Sequence, residues 1–156
     1  MIIGIDPGKN GGMAALRDDG QIMRISAYES DTDFIGKIYA WNRLLPATKT
    51  RCIVERVHSM PGQGVASTFS FGRSVGFIHG VLTAHELPWE EIIPQEWQKI
   101  LKIPKRDKSE SKTAFKRRLL DTAKKMYPNE PTLNLKTCDA VLIAEAYRRK
   151  MFCGKL

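Results

Sequence analysis

The sequence predicts an α/β domain in which a five-stranded sheet, its first three strands antiparallel, is flanked by helices. The N-terminal segment alternates short apolar runs with turn chemistry. Later segments change to three- and four-residue apolar spacing. The length, 156 residues, suits one hydrophobic core.

In chain order, Ile2 to Asp6 is an apolar run stopped by Pro7 and Gly8, and Gly11 to Leu16 is a second, separated from it by the turn-forming PGKNGG. Asp18, Asp19 and Gly20 supply hairpin chemistry before a third run, Gln21 to Ala27. Over Asp33 to Leu45, the residues Phe34, Ile38, Trp41 and Leu45 line one helical face, and Pro46 ends it. Arg51 to Val57 reads as the fourth strand and Glu90 to Ile93 as the fifth, closed by Pro94.

Between those strands, Val65 to His85 is apolar around most of a helical circumference, so that helix requires cover on more than one side. Gly72, Gly76 and Gly80 form a stripe without side chains along it, where the same monomer or a second subunit can approach closely. Pro94 to Leu101 predicts a short helix, KIPKRDKSESK a mobile basic loop, Lys112 to Met126 a helix, and Thr137 onward a final apolar helix. Neither a repeat nor a long linker divides the chain, so residues 1–156 are expected to form a single domain.

Charge narrows the partner. The chain has 25 Lys and Arg against 17 Asp and Glu, a net +8. Lys99 to Lys125 holds eleven of the bases and three of the acids, which accounts for the whole excess. A concentrated positive surface binds a polyanion by neutralising phosphates and releasing counterions, so nucleic acid is the expected partner. The sequence has no long apolar run and no basic segment leading into one, which predicts a cytoplasmic protein without a membrane partner. Cys52, Cys138 and Cys153 are too irregularly spaced for a disulfide framework or a zinc motif.

Three carboxylates stand in apolar surroundings. Asp6 ends the first strand, Glu55 alternates with Ile53 and Val57 on one face of the fourth, and Asp139 opens the last helix. Each alone has a structural explanation: a turn cap, a paired strand acid, an acid at a helix dipole. Together they would repel one another unless a divalent ion lay among them, and oxygen-only ligands favour Mg²⁺ or Mn²⁺ over zinc.

The segments IGIDPGKNGG, VERVHSMPGQGVASTFSFGRSVGFIHGVL, PQEWQK and CDAVLIAEAYRR, in this order and over nearly the whole chain, resemble RuvC-type Holliday junction resolvases, especially short bacteriophage versions. The resemblance implies an RNase H-like fold, a sheet of three antiparallel and two parallel strands flanked by helices, in a homodimer acting on four-way DNA junctions. It assigns Asp6, Glu55 and Asp139 as catalytic metal ligands for Mg²⁺, with Mn²⁺ as a possible substitute and two ions per subunit. Phosphodiester nicks leaving 5′-phosphate and 3′-hydroxyl ends would follow.

A lysine before the last helix is expected to stabilise the transition state, with Lys112 the first choice and Lys124 or Lys125 the second. DNA contacts are expected from Lys9, His58, Gln63, Lys105, Arg106, Lys108, Lys112 and Lys116. His58 stands where relatives carry a base-stacking aromatic, and Gln63 lies in a glycine loop that lets backbone approach DNA. One departure stands out. Relatives carry a further acid or histidine about three residues before the aspartate matched by Asp139, where this chain has Lys136. A neighbouring residue, water or substrate phosphate would then complete the metal shell, since Glu145 faces another side of the helix. Two other readings follow from the same residues: a nuclease acting more broadly on forks and flaps, and a junction-binding protein with weak catalysis.

Overall fold

The computed structural model describes residues 1–44, 50–56 and 64–152. Its elements are β1 (Ile2–Asp6), β2 (Gly12–Leu16), β3 (Ile22–Ala27), α1 (Asp31–Asn42), β4 (Arg51–Glu55), α2 (Val65–Ala84), β5 (Trp89–Ile92), α3 (Pro94–Ile100), α4 (Lys112–Met126) and α5 (Cys138–Phe152). The strands form one sheet in the order β3-β2-β1-β4-β5. β1 pairs antiparallel with β2, as β2 does with β3, whereas β1–β4 and β4–β5 are parallel. This is the RNase H-like mixed sheet that the resemblance implied.

Alternation along each strand sorts side chains into two cores. Ile3 and Ile5 of β1, Met13 and Ala15 of β2, and Cys52 and Val54 of β4 pack with Phe34, Ile38 and Trp41 of α1 and with Ile78, Val81 and Leu82 of α2. Ile2, Ala14, Leu16 and Ile53 turn to the other face, against α5, α4 and Trp97 of α3. Nearly all of α5 from Cys138 to Tyr147 is buried. It lies directly on β1 because Gly4 has no side chain: a Cβ there would stand 2.3 Å from the Ala140 carbonyl oxygen and 2.8 Å from the Ala144 Cβ. Asp6 is two residues beyond Gly4, and Asp139 precedes Ala140, so this close approach also brings the two acids to the same end of the sheet.

Two expectations change. The basic segment after α3 is held down: the Arg118 guanidinium donates to Glu110 at 3.0 and 2.8 Å and to the Pro104 carbonyl at 3.0 Å, while Arg106 donates to the Glu110 carbonyl at 2.6 Å. Of the two acids in that segment, Asp107 and Glu110, it is Glu110 that Arg118 grips. In α2 the cover is uneven. Only Ile78, Val81 and Leu82, near its C-terminal end, are buried. Val65 and Phe69 are 87% and 75% exposed, and apart from chain neighbours and the helix's own backbone no described atom lies within 4 Å of where a Cβ would stand at Gly72, Gly76 or Gly80. No helix among the described residues is long and apolar enough to cross a membrane.

Candidate active site

Register and parity bring two of the acids together. Ile5 pairs with Val54 across the parallel β1–β4 ladder, so Asp6 and Glu55 are the next residues on adjacent strands. Asp6 has the parity of Ile2 and Gly4, and Glu55 that of Ile53, so both project to the face covered by α5. Asp139, in the first turn of α5, meets them from that side.

The fourth member is Lys116 of α4. Its Nζ lies 2.5 Å from Asp139 Oδ2 and 3.7 Å from Asp6 Oδ2, so those two oxygens are no farther apart than the two contacts laid end to end. Asp139 Oδ1 accepts from the Cys138 thiol at 3.3 Å. Glu55 is held separately: the buried Trp97 indole Nε1 donates to Glu55 Oε1 at 2.9 Å. The acids thus converge, but among the described residues no three Asp, Glu, His or Cys side chains are close enough to chelate one ion as they stand.

Burial, then the charges of Glu55 and Asp139, push the Asp6 carboxyl well above the usual carboxylate range, with Lys116 pulling the other way. Glu55 is pushed up to about 7, chiefly by burial, with Asp139 adding to it against the Trp97 hydrogen bond and Lys116. Burial disfavours the Lys116 ammonium, yet Asp139 and Asp6 outweigh it and hold that pKa above the ordinary lysine value. Burial also raises the Cys138 thiol to about 12, so it stays protonated and donates.

The chemistry of the donor set fits a hard divalent cation. Every donor is a carboxylate oxygen, two of the three acids resist ionisation where they stand, and a cation has already been drawn between Asp6 and Asp139. An open cleft of about 580 Å³ leads from this point, lined by Asp6 and Asp139 and by Lys9, Lys116, Lys136 and Phe71. It is acidic at its floor and basic around it, which suits a phosphate backbone.

The other sequence-derived site residues distribute as follows. Lys112 is exposed at the first turn of α4, one turn before Lys116, and it is Lys116 that reaches the acids. Lys105, Arg106 and Lys108 are exposed on the loop anchored by Arg118. His58 and Gln63 lie outside the described residues. Glu145, as expected, points away: it is buried beneath Arg148, Arg149 and Tyr127. Lys136 is exposed at the cleft, its backbone N–H held by Asn134 Oδ1 at 2.8 Å.

Sequence reasoning missed two contributions. Lys116 shares the inward face of α4 with Leu119 and Ala123, at three- and seven-residue offsets, and a lysine on a buried stripe was the available signal. The second is Trp97. Nothing in PQEWQK shows that its N–H meets a carboxylate 42 residues earlier in the chain.

No protein-family model matches the sequence, and no curated protein matches it. Solved structures do. The chain is similar to a Thermus thermophilus RuvC structure with a TM-score of 0.59 and 16% identity, covering 95% of this chain and 93% of that one. A T. thermophilus RuvC in complex with Holliday junction substrate is similar at a TM-score of 0.56, with the same identity and coverage. At that identity the likeness establishes the fold, and the chemistry rests on the residues.

Proposed function

We propose that this chain is a divalent-cation-dependent endonuclease that resolves four-way DNA junctions by paired nicks, one from each subunit of a homodimer. The observation that carries this reading is the convergence of Asp6, Glu55 and Asp139 at one end of the sheet, beside a lysine and an open basic cleft. The fold supports it, because it is shared with a protein whose structure was solved with a Holliday junction substrate.

Asp6, Glu55 and Asp139 would hold Mg²⁺, or Mn²⁺ in its place, which when bound supplies activation of water and charge neutralisation at the scissile phosphate, with two ions per subunit in the full site. Lys116 has a flexible four-carbon stem and a compact charge, so it can leave Asp139 for a phosphate oxygen and offset the charge that grows during displacement. Lys9 and Lys136 neutralise adjoining phosphates at the cleft, and Lys105, Arg106, Lys108 and Lys112 extend that path along the anchored loop and α4. His58 and Gln63 remain candidates for contact with unpaired bases. Cleavage would yield 5′-phosphate and 3′-hydroxyl ends. Reading of a bent, branched shape through phosphates, more than base edges, follows from such contacts.

The uncovered half of α2 supports the homodimer: Val65 and Phe69 beside three unobstructed glycines offer a flat apolar face to a second copy. A second reading is favoured by Lys136 and by the ammonium already seated on Asp139: a junction-binding protein with weak or no cleavage. Equal-length four-way, three-way and linear duplexes with Mg²⁺ separate the possibilities. Symmetrical nicks confined to the four-way substrate support resolution, comparable cutting of three-way forks supports the broader nuclease, and tight binding without nicks supports the binding protein.

A further inference from the structure

We propose that Trp97 is a positioning residue, whose indole N–H sets the orientation of Glu55 toward the cation site; this rests on the metal-dependent reading above. Trp97 is 1% exposed and Glu55 8%, and the Nε1–Oε1 distance is 2.9 Å. Indole is a donor only, does not titrate, and has two side-chain torsions, so this bond is of one kind and offers little freedom. It occupies Oε1. Oε2 is left with no protein donor among the described residues.

The frame behind Trp97 explains why the bond can position an acid. Pro94 begins α3 with the fixed φ suited to a first helical turn, and the Trp97 backbone N–H donates to the carbonyl of Ile93, the N-cap residue of α3. The indole ring lies in the core formed with α5, and Lys150 of α5 reaches Glu96 of α3 at 3.0 Å. Glu55 is thereby tied, through Trp97 and α3, to the helix that carries Asp139. The β4 acid and the α5 acid share one rigid support besides the sheet. By contrast Trp89, on the edge strand β5, donates its N–H to Thr83 and stacks on His79, away from the acids.

A spectroscopic test needs no turnover. The chain has three tryptophans, so a nitrogen–proton correlation spectrum gives three indole signals, assignable sequentially in the wild-type protein. Titrating Mg²⁺ into DNA-free protein should move the Trp97 signal, with the same midpoint as Mg²⁺ binding followed calorimetrically. Trp97→Phe should weaken Mg²⁺ binding about tenfold, as loss of a partner to a ligating side chain does, while leaving metal-free junction binding unchanged. A merely packing role would lower the melting temperature of that variant without altering Mg²⁺ affinity. An unmoved Trp97 signal at saturating Mg²⁺ overturns the proposal, as does wild-type affinity in Trp97→Phe; should that variant not fold, the wild-type titration decides. Asp6→Asn keeps the two readings apart. If it abolishes Mg²⁺ binding while Trp97 proves indifferent, only the positioning role falls; if wild type binds no Mg²⁺ at all, the nuclease reading falls with it.

Discussion

Glu55 and Asp139 are both buried against the same end of the sheet, yet they are held by opposite means. Glu55 accepts from a neutral indole fixed in the core, whereas Asp139 and Asp6 are bridged by an ammonium on a flexible stem. The first arrangement has nowhere to go. The second can be undone by any stronger cation for the acids, or by a phosphate that draws the lysine away. The site is therefore preorganised on its β4 side and exchangeable on its α4–α5 side, an asymmetry that residue identities alone do not convey.

The largest expected effect is on the exchangeable side. Lys116→Met should reduce nicking about a hundredfold, the scale for removing one group that stabilises transition-state charge, and in DNA-free protein it should tighten Mn²⁺ binding because a resident cation is gone. Lys112→Met, one turn away and exposed, should alter junction affinity without changing Mn²⁺ binding. Equal effects of the two substitutions would break the asymmetry. Gel-based nicking and Mn²⁺ titration measure both.

The next effect concerns pH. Glu55 titrates near 7 in the folded chain against an ordinary value of 4.5, and Asp6 is shifted in the same direction. The protonated forms are thus favoured by folding. Their stabilisation is fully present below pH 4.5 and is lost as pH rises through 7, so metal-free protein should lose up to a few kcal/mol across that window. Mg²⁺ should restore more melting temperature at pH 7.5 than at pH 5. A metal-free melting temperature that rises steadily from pH 5 to 7.5 would show that these acids are not strained by burial.

The smallest effect on stability sharpens the comparison from outside the site. Phe69→Glu should leave the monomer's melting behaviour within about 0.5 kcal/mol, because the side chain is exposed, while shifting sedimentation from dimer to monomer. Unchanged sedimentation would remove α2 from the subunit interface.

The succession of strands, the antiparallel pairing of the first three and the face taken by Glu55 were legible in the sequence because period-two alternation and glycine turns are local signals. Glu55 was readable as inward-facing for that reason, Asp6 as an acid ending an apolar strand, and Asp139 as the first-turn acid of an apolar helix. What the alternation could not reveal was which basic residue of a crowded stretch turns inward. Lys112 and Lys116 differ by one turn on the same face, and only the packing of Leu119 and Ala123 on α5 decides that Lys116 arrives at the acids. The uncovered half of α2 was ambiguous for a related reason: apolarity around a helix shows that cover is required, not which molecule provides it. The Arg118 anchor and the Trp97 bond join residues distant in the chain, and composition leaves no trace of such pairs.

Crystals grown without DNA, soaked in Mn²⁺ and measured at the manganese absorption edge, will show whether Asp6 and Asp139 exchange the Lys116 ammonium for a divalent cation. An anomalous peak is expected within about 2.2 Å of carboxylate oxygens of Asp6 and Asp139, with Glu55 still bound to Trp97 and Lys116 withdrawn from Asp139. A peak elsewhere on the protein, with Lys116 still seated between the two aspartates, would contradict it.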